Sequence, residues 1–262
     1  MNSKVSVVIR NKNQASALEF LLKNLTGRYA DDLDEVIVID NLSTDNSGEI
    51  VKKYNCKLVS ISNFSYGGSA NLAAESARND IVVVFSAHAY PVSNDFFKQI
   101  MLKFQGNTNL AGLRCLHGSN DYRNYINNIS AKTDPNRSGL IFCGSVFNRK
   151  VWEKHRFKDD ITTFEDKEWT LRVLAAGYDI AFSPSIFSYE IKRSRRQDFF
   201  RFKNEIIGGY QLWHTDHSLI TVLKALIGSL LHSFKNGILD VYFIFLRFIF
   251  MMGFIFNKPK KF

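Results

Sequence analysis

Glu35-Val36-Ile37-Val38-Ile39-Asp40 is the stretch on which the reading of this chain turns. It is apolar without alternation and stops on a carboxylate, and a polar loop follows, Asn41-Leu42-Ser43-Thr44-Asp45-Asn46-Ser47-Gly48. Upstream, Val5-Ser6-Val7-Val8-Ile9 ends just as abruptly in Arg10-Asn11-Lys12-Asn13. Strands covered on both faces lose the in-out alternation of a half-exposed sheet. Two such runs joined by an amphipathic stretch therefore predict a βαβ unit with a ligand crevice at the strand C-termini. A carboxylate with short amides and hydroxyls at that crevice suits the imide and ribose hydroxyls of a nucleotide.

Working outward, the spacing of Ala17, Leu18, Leu21, Leu22 and Leu25 predicts a helix over 15–26. A capped short helix over 47–54 and a strand over 57–61 come next, then a loop over 63–69 with a helix over 70–77 behind it. The most apolar strand, 80–85, reads as central and ends at Ser86-Ala87-His88. A helix over 95–104 completes a regular β-α alternation, which predicts an α/β fold with a mostly parallel sheet flanked by helices. Residues 105–140 are polar and carry no clear period, with 118–138 reading as a mobile loop near a site, and order resumes over 143–148. A helix opens near Thr163 and stops at Gly177, and 180–182 is a last strand before Pro184.

Charge and aromatic content are uneven along the 262 residues. Residues 192–262 hold 11 of the 23 Phe and carry 12 Lys/Arg against 4 Asp/Glu, a net of +8 out of the chain's +9. The basic character thus belongs to the tail. Its lysines and arginines are interleaved with unbroken aliphatic runs, which favours a membrane surface over nucleic acid. Leu219, Val222, Leu223, Leu226, Ile227, Leu230 and Leu231 recur at helical spacing, and 238–256 is apolar but for Asp240 and Arg247. A charge at mid-span disfavours crossing a bilayer. An interfacial helix is expected, with spanning, packing on the body, or a homodimer as alternatives. Cys56, Cys115 and Cys143 show no metal-binding spacing and read as thiols of a reducing compartment, with no signal peptide before the first strand.

Five segments in order resemble family 2 glycosyltransferases of the GT-A fold. They are residues 5–13, 39–47, 63–71, Ser86-Ala87-His88, and Glu165-Asp166-Lys167-Glu168-Trp169-Thr170-Leu171-Arg172. The resemblance covers 4–197, so a catalytic domain is expected over 1–197 and a helical membrane-associating tail over 198–262. It implies an inverting transfer of a hexosyl or deoxyhexosyl group from a UDP, dTDP or GDP sugar to a hydroxyl. The acceptor would be a lipid-linked saccharide of surface polysaccharide synthesis, at the cytoplasmic face of the membrane. It further implies nucleotide contacts from Ile9, Arg10, Asn13, Asp40, Asn41, Ser43, Asp45, Gly68, Asn71, Ser86 and Ala87. Asp166 would be the base, with Glu165 raising its basicity. Trp169, Arg172 and Gly144 would pack or orient the acceptor side. A second reading of Asp40 and Asp45 is that they cap their loop and helix.

One departure from the family pattern matters. The Asp-x-Asp that holds a divalent cation is replaced by Ser86-Ala87-His88, and the family's His-x-His after the last strand by Tyr189 and Ile191. Either Lys192, Arg193, Arg195 and Arg196 meet the leaving group's charge without metal, which is favoured, or His88 ligates a loosely held Mn2+ or Mg2+. The rival function is a catalytically silent subunit that binds a nucleotide sugar or a partner enzyme.

Overall fold

The computed structural model describes residues 4–259. In order, the elements are β1 (Val5–Asn11), α1 (Ala15–Arg28), β2 (Leu33–Asp40), α2 (Ser47–Lys53), β3 (Lys57–Ser60), α3 (Tyr66–Ser76), β4 (Ile81–Ser86) and β5 (Ala89–Pro91). There follow α4 (Phe96–Phe104), β6 (Leu110–Leu116), α5 (Ser119–Ile126), α6 (Pro135–Ser138), β7 (Gly144–Asn148), α7 (Arg149–Lys154), α8 (Glu165–Ala175), β8 (Asp179–Tyr189), α9 (Arg195–Trp213) and α10 (Leu219–Phe256). The eight strands form one sheet in the order β3-β2-β1-β4-β7-β6-β8-β5.

β3, β2, β1 and β4 run parallel, as the βαβ reading requires. β7 then enters antiparallel to both β4 and β6, and β5 runs antiparallel to β8, so the sheet is mixed but mostly parallel, six of its eight strands sharing one direction. Between β6 and its antiparallel neighbour β7 the chain makes the α5–α6 excursion.

Alternation along the strands divides the core between the two sheet faces. Val7 and Ile9 of β1, with Val83 and Phe85 of β4, pack against Leu18, Leu21 and Leu22 of α1 and Phe96 and Phe97 of α4. Val8, Val82 and Val84 face the other way, against Ala70, Ala73 and Ala74 of α3 and Trp169 and Val173 of α8. Period-two side-chain direction makes this division obligatory once both faces carry helices.

The stretch 105–140 opens with β6, every residue of which is buried, and α5 and α6 lie where a mobile loop was expected over 118–138. β6 was obscured because Arg114 interrupts an otherwise apolar run. β8 likewise extends far beyond 180–182, passing Pro184 at a register irregularity against β6, where a missing ladder donor is tolerated.

The described residues divide into two units, one ending at Trp213 and the other beginning at His214. α9 belongs to the first, so the expected boundary at 197 falls inside a helix of the body. Gly208 explains its seating: an added Cβ would lie 2.7 Å from the Thr163 methyl and 2.9 Å from the Phe164 ring. The second unit holds α10, a single helix of 38 residues where two apolar segments were expected.

Candidate active site

The C-terminal ends of the parallel strands lie level. Register places Asn11 beside Asp40, Arg10 beside Ser86, and Asp40 beside Ser60. This is the switch point of the sheet, where β1 is followed outward by β2 on one side and β4 on the other. Side chains lace the two loops that leave β1 and β2. Asn11 Nδ2 donates to Asp40 Oδ1 (2.8 Å) and to Ser47 Oγ (2.9 Å), and the Ser43 amide and hydroxyl both donate to Asp40. Asn13 joins in, its amide donating to Ser43 Oγ and its carbonyl accepting from the Thr44 amide. The Ala15 amide and Ser47 hydroxyl donate to Asp45. Burial opposes the charge on Asp45, but hydrogen bonds from Ser47 and the Ala15 amide outweigh it and hold the carboxyl below its usual range.

Asp40 therefore holds the loop together with both carboxylate oxygens. The capping reading describes these contacts, and Asn41 beside it keeps a half-exposed side chain.

A second cluster joins β1 to α8. Arg10 Nη1 lies 2.9 Å from Glu165 Oε1, with both side chains nearly buried, and Arg10 Nη2 donates to the Phe142 carbonyl at 2.6 Å. Burial, and then the adjacent Asp166, push the Glu165 carboxyl above its ordinary range, while Arg10 opposes them. Glu165 is thus committed to an ion pair and positions the helix. Asp166, the second residue of α8, accepts from the Phe142 amide (3.0 Å) and from the Lys167 amide (2.8 Å). It sits at the positive end of the helix, next to the β1 end. Phe164, just before α8, adopts φ +68°, a left-handed conformation that a non-glycine residue reaches only at a cost of about 1 kcal/mol or more. Its ring is held 4.9 Å from that of Trp213.

Residues 139–142, which run past Asp166, are held almost wholly by side chains. Arg114 Nη1, Lys167 Nζ and Arg10 Nη2 donate to the carbonyls of Gly139, Leu140 and Phe142. Thr170 Oγ1, Ser145 Oγ and Asp166 Oδ2 accept from the amides of Leu140, Ile141 and Phe142. Arg114 is in turn paired with buried Asp121 at 2.8 Å, and His117 Nδ1 lies 2.5 Å from the same carboxylate. Burial opposes the charge on Asp121, but His117 and Arg114 hold its carboxyl well below the usual range. Lys167 is pulled below its ordinary pKa by burial, which outweighs the attraction of Asp166. None of Arg114, Asp121, His117 or Lys167 was singled out from sequence. The one available signal was Arg114, a lone charge inside an apolar run.

His88 follows β4. Both of its ring nitrogens are buried without a hydrogen-bond partner among the described residues. Burial first, then the positive charges of Arg193 and Arg10, push it down to about 4, so the ring is neutral at physiological pH. Tyr189 meets it edge-on at 5.0 Å and accepts a hydrogen bond from Arg193 at 2.9 Å. Tyr66 is raised chiefly by burial and feels Arg10, Glu165, Tyr189 and Arg193, so these groups share one neighbourhood. Of the four expected cations only Arg193 is anchored there. Lys192, Arg195 and Arg196 are exposed.

The fit to a divalent cation is poor. Mg2+ and Mn2+ in such sites want several oxygen donors, whereas Ser86-Ala87-His88 supplies a hydroxyl and one imidazole. No group of three or more His, Cys, Asp or Glu suited to a metal occurs among the described residues.

A cleft of about 720 Å³ is lined by Asn13, Ala17, Phe20, Asp45, His88 and Tyr90, over the ends of β1 and β4. A hollow of about 760 Å³ lies near the opposite strand ends, beside Lys4, Asp34, Asp80 and Lys150. It touches none of the residues above.

Several residues expected at the nucleotide have other work. Asn71 donates to the Phe157 carbonyl and Asp159 and accepts from Trp152 Nε1 and the Phe157 amide, leaving it no free polar valence. A Cβ on Gly67 would overlap the Lys158 carbonyl, and one on Gly68 would lie 2.8 Å from Ser65 Oγ, the hydroxyl that caps α3. The glycine pair thus accommodates protein backbone and a cap. Ile9 and Ala87 are buried, while Ser86 is half-buried at the strand end. Trp169 is fully buried, Gly144 lies against the Phe187 ring, and Arg172 is engaged by Glu168 in a pair of 2.9 Å bonds.

A mixed sheet of this order, with its polar residues level at the β1 switch point and a Glu-Asp pair opening α8, defines a glycosyltransferase of the GT-A class. Residues 6–169 match the model of glycosyl transferase family 2, and the chain belongs to that family. It is 28% identical over 189 residues to the O-antigen chain rhamnosyltransferase WbaN of Salmonella anatum, a match covering 64% of this chain and 60% of that protein. The chain thus spans less than two thirds of that relative. Among solved structures it resembles the mannosyltransferase PcManGT from Pyrobaculum calidifontis, in complex with GDP-Man and Mn2+, with a TM-score of 0.64 at 18% identity over 83% of this chain and 66% of that one. Glucosyl-3-phosphoglycerate synthase from Mycobacterium tuberculosis, in complex with Mn2+, UDP and glucosyl-3-phosphoglycerate, gives 0.59 at 14% identity over 82% of each. At these identities the likeness is one of fold.

Proposed function

We propose that this chain transfers a sugar from a nucleotide diphosphate donor to an acceptor hydroxyl with inversion at the anomeric carbon. One observation carries the reading: Arg10–Glu165 and Phe142–Asp166 fix a carboxylate at the start of α8 beside the end of β1. Asp166 takes the acceptor proton as the acceptor oxygen bonds to C1, and the C1–oxygen bond to the diphosphate breaks on the opposite face. Asn13, Asp40, Asn41, Ser43 and Asp45 form the nucleotide side. Arg193 meets charge on the departing diphosphate, and neutral His88 offers it an N–H, which accounts for ring nitrogens that have no partner among the described residues.

The donor is a UDP, dTDP or GDP sugar. The description of the Salmonella relative and the apolar tail support a lipid-linked acceptor in surface polysaccharide synthesis, reached from the cytoplasmic face of a membrane. A second reading, a silent subunit that binds donor without transfer, is favoured by the lack of carboxylates at 86–88.

Three measurements separate these readings. Thermal shift with UDP, dTDP and GDP sugars identifies the donor. Asp166→Asn should keep the donor shift and lower transfer by about 10²–10⁴. If wild-type and Asp166→Asn cells make the same glycan, the silent reading stands. Transfer undiminished in excess EDTA supports Arg193 as the countercharge, and a collapse restored by Mn2+ refutes it.

A further inference from the structure

α10 carries the largest apolar surface of the chain, and within its last nineteen residues, 238–256, Asp240 and Arg247 are the sole charges. Both are exposed, and no ion pair reaches either among the described residues. They stand seven residues, about 10.5 Å of rise, apart on one helix face. Ser233, Asn236, Asp240, Arg247, Met251 and Phe254 recur every three, four or seven positions along α10, so they form a single stripe.

We propose that this stripe is a self-complementary interface through which two copies of the chain pair with their α10 helices antiparallel. A two-fold axis crossing between Phe243 and Ile244 sets Asp240 opposite the partner's Arg247, and by symmetry Arg247 opposite the partner's Asp240. The same axis sets Ser233 opposite the partner's Phe254, and Asn236 opposite the partner's Met251. Every pairing of the stripe is then opposite in charge or small against large. A parallel pair would instead put Asp240 against the partner's Asp240 and Arg247 against the partner's Arg247, which like-charge repulsion forbids in an apolar setting.

The antiparallel geometry also fits a membrane surface. Two helices lying in the plane of a bilayer, related by a two-fold along its normal, run antiparallel and leave both bodies on one side. A spanning helix with both bodies on one side would have to pair parallel. The interface therefore commits α10 to lying on the membrane, its remaining apolar face toward lipid. This inference uses no residue of the catalytic body and stands apart from the transferase reading.

The test is a charge swap in the full chain, in micelles and on anionic vesicles, read by sedimentation and cross-linking. Asp240→Arg and Arg247→Asp should each weaken dimerisation at least about thirtyfold, since symmetry spoils two pairs at once. The double swap should restore it to within about threefold, because only an antiparallel pair again sets unlike charges face to face. In a Cys56→Ser background, Phe243→Cys should cross-link to its own copy. Asn236→Cys alone should not, but should do so with Met251→Cys. Failure of the swap to restore pairing, self-cross-linking of Asn236→Cys, or a wild-type chain that stays monomeric on vesicles overturns the proposal. The urea midpoint of the body, read by the fluorescence of buried Trp152 and Trp169, should be unchanged in every variant and confirms that the body remains folded.

Discussion

Replacing Arg10 with Met leaves the Glu165 carboxylate alone beside Asp166, with its side chain about 95% buried. Opposite unit charges about 4 Å apart attract by about 4 kcal/mol at an effective dielectric of about 20. Breaking a buried pair from one side is measured at about 3–5 kcal/mol, of the same order. Arg10→Met should therefore destabilise the body by about 3–5 kcal/mol. Glu165→Gln should be milder, because Arg10 still donates to the Phe142 carbonyl and lies 5.5 Å from the Phe142 ring centre. The double variant should recover at least about 2 kcal/mol of the Arg10→Met loss, since no charge is then orphaned.

The pH dependence has a definite sign. Burial chiefly, and then Asp166, raise the Glu165 pKa in the folded state, and Arg10 opposes them. Without Arg10 the folded pKa rises further. The folded state then holds a proton that the unfolded chain has released, so stability erodes as pH climbs from the ordinary Glu range through the raised value. The Arg10→Met deficit should be smaller at pH 5 than at pH 8. Urea unfolding of the full chain in a mild detergent, followed by the fluorescence of buried Trp152 and Trp169, reads both quantities. Coupling below about 0.5 kcal/mol, or a deficit that grows on acidification, would refute the reasoning.

Asp121→Asn should destabilise by about 3 kcal/mol at neutral pH, since it strips the carboxylate from buried Arg114. Because the folded pKa of Asp121 is depressed, its contribution is present above the unfolded carboxylate range and lost as pH falls, so the gap between variant and wild type should close in acid unfolding. Asp40→Ala should cost about 2–3 kcal/mol through orphaned donors on Asn11 and Ser43, and should abolish the donor-induced thermal shift as the two loops come apart. Gly67→Ala should fail to fold or lose more than about 3 kcal/mol, because its Cβ has no room beside the Lys158 carbonyl, while Gly48→Ala, with open space around it, should be nearly silent by denaturant midpoint.

Strand and helix signals in the first hundred residues were legible because each is local. Unbroken Val/Ile runs, capped helix starts and polar strand ends follow from period and chemistry along the chain. β6 was illegible for a physical reason: Gly112 and Arg114 break its apolar run, and a charge there is tolerated only through Asp121, seven residues on, and the Gly139 carbonyl. The antiparallel entry of β7 was illegible too, since strand direction depends on what the intervening chain does in space.

The same division holds at the site. Sequence alone determined that Asp40, Arg10 and the Glu165-Asp166 pair stand at element ends, because a residue's place on its own strand or helix is set by neighbours a few positions away. Only tertiary structure decided which partner each side chain meets. Arg10 and Glu165 are 155 positions apart, and their pairing makes one carboxylate a strut and leaves its neighbour beside the strand ends. Asn71 looked like a ligand contact until Trp152 and residues 157–159 closed over it. Hydrogen-bonding capacity is finite, and only the folded chain shows where it has been spent.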